Sequence, residues 1–100
     1  MQRPTDESLI ITDRRAAALL VDPDERRYFE PFLGRERTVT EAARELGVPP
    51  NGMRYRVRRM AKLGLLRIVR EQPRAGRPMR VYRSVADRLF VPYVASPAVD

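Results

Sequence analysis

Thr38 to Leu66, TVTEAARELGVPPNGMRYRVRRMAKLGLL, decides how the rest of this chain is read. Thr38 and Glu41 stand three residues apart, the spacing at which an N-cap hydroxyl and a carboxylate each satisfy a backbone N–H left over at a helix start. Val39, Ala42, Ala43 and Leu46 then recur at i, i+3, i+4 and i+7. This is one apolar face, with Glu41, Arg44 and Glu45 directed to solvent. Gly47 is placed to end the helix in a left-handed conformation. Pro49 and Pro50 open a second helix, because proline lacks only an N–H that would go unbonded at the first helical position. Met53, Val57 and Met60 face inward, and Gly64 ends this helix in turn. At 100° per residue Asn51, Arg54, Tyr55, Arg58 and Lys62 share the opposite side, a stripe with three cations and no acid.

Two short helices, a tight turn, small residues where they cross and a basic outer stripe describe a helix-turn-helix. The plain alternative is a helical hairpin whose solvated face is basic. The next segment argues against it. Leu65 to Glu71 and Met79 to Arg83 read as two strands. Between them the tip Gln72 to Pro78 holds two prolines, Gly76 and the cations Arg74 and Arg77. A ribbon so tipped can reach phosphates or a minor groove beside the second helix. A solvated loop whose charges only keep it soluble is the competing reading.

Composition agrees. Residues 35–83 hold 14 Arg or Lys against 4 Asp or Glu, whereas residues 1–34 hold 5 against 7 and residues 84–100 hold 1 against 2. The net charge of +7 is therefore a basic centre between mildly acidic ends, the footprint of a protein that meets a polyanion. Nineteen of the 20 cations are Arg, whose planar fork suits phosphate and guanine edges. A genome rich in G and C would give the same bias.

The chain has no Cys and no His. Thiolate and imidazole metal sites, disulfides and His-based triads are thereby excluded. No nucleophile with an adjacent base, glycine loop for phosphate or close carboxylate pair is visible, so no enzyme activity and no cofactor are expected. The longest uncharged apolar run, Ala16 to Val21, is far short of a membrane span, and the N-terminus lacks a signal-peptide pattern. A soluble cytoplasmic protein is expected.

Residues 1–10 read as a flexible tail. Thr12 is placed to cap a helix through Leu20, with Ala16, Leu19 and Leu20 inward. Asp22, Pro23 and Glu25 signal another helix start, and Tyr28, Phe29, Phe32 and Leu33 form an aromatic stripe with Pro31 bending its end. Ser84 is placed to cap a last helix through Val91, whose apolar residues Val85, Leu89 and Phe90 suit a partner chain. Residues 92–100 read as a tail or the start of a further region. The expected domain is 11–91, mainly α with a small β-hairpin wing, comprising a helix-turn-helix at 38–64 and a wing at 65–83.

The element order, with ITDRRAAALLVDPDERRYFEPFL, TVTEAARELGV, the run Leu63 to Leu66 and the returning Val81, Tyr82 and Arg83, resembles the ArsR-type winged helix-turn-helix transcriptional regulators of prokaryotes. The resemblance spans roughly residues 11–87. It implies a homodimer on a two-fold-symmetric operator in double-stranded DNA, commonly as a repressor. Asn51, Gly52, Arg54, Tyr55 and Arg58 would then read bases, with Lys62 on the same stripe and Arg74 and Arg77 clamping from the wing. Many relatives sense metals through Cys or His, which this chain lacks, so that route is closed to it. A winged helix serving as an RNA-binding or protein-interaction module is the rival reading, since fold does not fix function.

Overall fold

The computed structural model describes residues 8–92. In chain order these form β1 (Ser8–Ile10), α1 (Arg14–Val21), α2 (Pro23–Arg26), a 3-10 turn (Glu30–Phe32), β2 (Arg37–Thr38), α3 (Val39–Leu46), α4 (Pro50–Lys62), β3 (Leu66–Gln72), β4 (Met79–Ser84) and β5 (Arg88–Phe90).

The central pair follows its sequence signals closely. Thr38 Oγ1 accepts from the Glu41 N–H at 3.1 Å while Glu41 Oε1 accepts from the Thr38 N–H at 2.8 Å, so the capping box is complete. Gly47 closes α3 at φ 69°. Gly64, at φ 81°, turns the chain after α4 so that the Leu65 N–H reaches Met60 O at 2.9 Å. Met53, Val57 and Met60 are buried on the inner face of α4 against Ala42 and Ala43 of α3. Phe32, fully buried, meets the Tyr82 ring edge-on at a centroid distance of 6.3 Å and joins the 3-10 turn to β4.

Five expectations are corrected. The cap of α1 is Asp13, not Thr12: Asp13 Oδ1 accepts from the Ala16 N–H at 2.9 Å. The helix expected from Asp22 to Leu33 stops after Arg26, and Pro31, which cannot donate to a helical ladder, lies in the 3-10 turn instead. Of its aromatic stripe Phe29 and Phe32 are buried, Tyr28 is half-buried and Leu33 is exposed.

The helix expected at residues 84–91 does not form. Ser84 ends β4 and is fully buried; its Oγ accepts from the Gly34 N–H at 2.9 Å and donates to Ala86 O at 2.7 Å. A serine committed to one backbone partner across the fold and another two residues on is not available to cap a helix. The chain continues as β5, which pairs in parallel with β1, Ile10 beside Phe90. Residues 8–10 are thus strand and not tail; the rest of the expected N-terminal tail, and residues 93–100, lie outside the described residues.

Finally, strand content exceeds a two-stranded wing on a mainly α domain. The short β2 adds to the wing hairpin, giving an antiparallel sheet in the order β2-β4-β3, and β1 and β5 make a second sheet. Because Thr38 both pairs with Val81 and caps α3, the helix-turn-helix is fixed directly to the hairpin beside it.

Candidate nucleic-acid interface

The exposed side of α4 carries the stripe read from sequence: Asn51, Gly52, Arg54, Tyr55, Arg58 and Lys62 are all exposed, Tyr55 at 67%. Arg74 and Arg77 lie at the tip between β3 and β4, where Gly76 takes φ 90°. Tertiary structure brings part of the helix stripe and the wing together. Arg54 and Arg58 of α4 and Arg74, Arg77 and Arg80 of the wing line one groove of about 560 Å³, with Thr40 of α3 at its edge and the buried Val57 and Tyr82 at its base. Glu71 is the one carboxylate lining it. Asn51, Gly52, Tyr55 and Lys62 do not line it.

What sets this groove apart is convergence: Arg14, Arg15, Arg27, Arg44 and Arg67 also form no salt bridge among the described residues, but only here do five such guanidinium groups line one concavity. Several guanidinium groups elsewhere meet carboxylates: Arg35 and Arg37 share Glu45, Arg70 meets Glu36, Arg83 meets Asp87 at 2.7 Å, and Arg56 and Arg59 share Glu25. Among the described residues, Arg54, Arg58, Arg74, Arg77 and Arg80 form no salt bridge. Arg54 has a neutral partner only, donating from Nη1 to Asn51 Oδ1 at 3.1 Å one turn earlier. Leaving several cations unpaired around one concavity keeps their field uncancelled, which raises the local concentration of an anionic ligand.

Arg80 was not among the residues singled out from sequence. Its signal was available only in outline: an arginine on β4, on the face opposite Val81, is expected to point outward to solvent, although Val81 and Tyr82 are both buried and burial does not alternate along the strand. That outward meant into this groove depended on the tertiary placement of α4. Arg56, placed by the helical wheel at the margin of the apolar face, is half-buried as its angle implies. Its carboxylate is Glu25 of α2; the acids of the neighbouring α3 are already engaged, Glu41 in the capping box and Glu45 with Arg35 and Arg37.

No group of three or more Asp or Glu able to hold a metal ion occurs among the described residues, and none of their helices is long and apolar enough to cross a membrane.

Architecture and surface together define a class: a helix-turn-helix with a basic outer helix and an antiparallel sheet standing beside it, an order compatible with a winged helix. Residues 32–69 match the family model described as Helix-turn-helix domain, from the 3-10 turn through α3 and α4 into β3. No curated protein matched the chain in comparison.

Proposed function

We propose that the chain is a sequence-specific regulator of transcription that binds double-stranded DNA, with α4 in the major groove and the wing over the neighbouring backbone and minor groove. The observation that carries this is the set of five arginines without carboxylate partners, drawn from α4 and the wing and facing one groove. A helix of about 10–12 Å diameter with its side chains fits a major groove about 12 Å wide. Asn51, Gly52, Arg54, Tyr55, Arg58 and Lys62 lie on the side that would enter, while Arg74 and Arg77 clamp from the wing.

The finer assignment follows the ArsR-type resemblance: a homodimer on a two-fold-symmetric site, acting as a repressor. The exposed pair Ile10 and Phe90, side by side across β1 and β5, supports an apolar contact with a second copy. Selection of bound duplexes from a random pool tests the whole reading. A recovered site of two inverted half-sites, bound with an affinity that falls steeply as salt rises, is the expected result. Indifference to duplex DNA with capture of RNA or of a protein would replace it with the interaction-module reading.

A further inference from the structure

If α4 occupies a major groove, that groove is filled, because helix and groove have nearly the same width. The wing is fixed beside α4 through β2 and Thr38 and cannot share the space. One sugar-phosphate strand must therefore run between them, through the groove that separates α4 from the hairpin. The side chains lining that groove meet this strand first. Arg58 comes from the helix wall and Arg80 from β4, and neither has a carboxylate partner among the described residues.

Arg54 differs from Arg58 although both line the groove. It stands one turn nearer the start of α4, where recognition helices meet base edges. Its Nη1 is held by Asn51 Oδ1, which leaves the Nε and Nη2 edge as a pre-positioned fork of the kind that reads guanine. Tyr55 projects outside the groove.

We propose, on the DNA-binding reading above, that Arg58 and Arg80 grip the phosphate strand passing between α4 and the wing, and that sequence is read from the ridge formed by Asn51, Arg54 and Tyr55. The helical wheel groups Arg58 with the base readers. The wing beside it turns it into a backbone contact. Arg58 and Arg80 then set affinity and register, and the ridge sets choice of site.

The test measures binding of the full chain to its selected duplex and to a random duplex over a range of salt. Arg58→Ala and Arg80→Ala should each weaken both duplexes by the same factor and lower the log-log salt slope by about 0.9, which is about eightfold at 0.1 M salt relative to a 1 M reference. Arg58→Lys should restore most of the loss, because a phosphate accepts a point charge where a base edge requires the fork. Tyr55→Ala should instead erode the preference for the selected duplex at an unchanged slope. Thermal melts matching wild type show that the exposed substitutions leave the fold intact. Loss of site preference in Arg58→Ala at the wild-type slope, with no rescue by lysine, would overturn the division of roles, as would an unchanged slope in Arg80→Ala. Wild-type protein that binds neither duplex would overturn the DNA-binding reading itself, an outcome separate from any pattern among the variants.

Discussion

Arg56 Nη1 donates to Glu25 Oε1 at 3.0 Å, tying α4 to α2 across 31 residues of sequence. The same guanidinium lies over the Tyr28 ring, 3.9 Å from its centroid, and Arg59 reaches the same carboxylate at 3.4 Å. One acid and one aromatic ring thus hold the inner edge of α4 while its outer edge stays open.

Arg56→Ala should therefore destabilise the fold. It removes a partly buried ion pair, a cation-π contact and the packed stem, together about 1–2 kcal/mol after allowance for solvent screening. For a domain of this size that is a fall in Tm of roughly 5–15 °C. Arg56→Met, which keeps most of the stem, should recover much of the loss. DNA affinity corrected for the folded fraction should change little; a variant that melts like wild type but loses site discrimination would show that Arg56 faces the DNA.

Ser84→Ala should cost more than its small volume suggests. The hydroxyl is fully buried and serves the Gly34 N–H and Ala86 O at once, so removing it leaves two backbone groups without that partner, at about 1–3 kcal/mol. Urea unfolding should show a lower midpoint with an unchanged slope. Stability equal to wild type would mean that water replaces the hydroxyl.

Arg54→Ala should weaken the selected duplex by roughly 1–3 kcal/mol and leave random DNA nearly unaffected, as the loss of a bidentate base contact requires. Equal losses on both duplexes, measured by titration at fixed salt, would place this side chain on phosphate.

Replacing Arg74 and Arg77 together by alanine should lower affinity for every sequence and reduce the salt slope by about one to two units. An unchanged slope would mean that the wing tip never approaches the backbone.

The proposed homodimer should form at tens of micromolar by sedimentation, and Phe90→Asp should dissociate it by placing a charge on the exposed β1–β5 pair. A wild-type chain that stays monomeric at that concentration would remove this part of the proposal.

Sequence alone determined the parts of this protein whose causes are local. The capping box of Thr38 and Glu41, the glycines that end α3 and α4, the inward row Met53, Val57 and Met60, and the turn at Gly76 all depend on residues within a few positions of one another, and each is found where spacing placed it. Tertiary structure decided what depended on distant partners. Ser84, Asp87 and Pro92 have the spacing of a helix start and stop, yet Ser84 is bonded to Gly34, 50 residues away, and the segment that follows pairs with β1 at the other end of the chain. Two backbone partners in a buried site outweigh the modest gain of an N-cap, so a strand forms where local signals favour a helix. Glu25 as the partner of Arg56, and Arg80 as a wall of the groove, were hidden for the same reason: a helical wheel states which way a side chain points, and only packing states what it meets there.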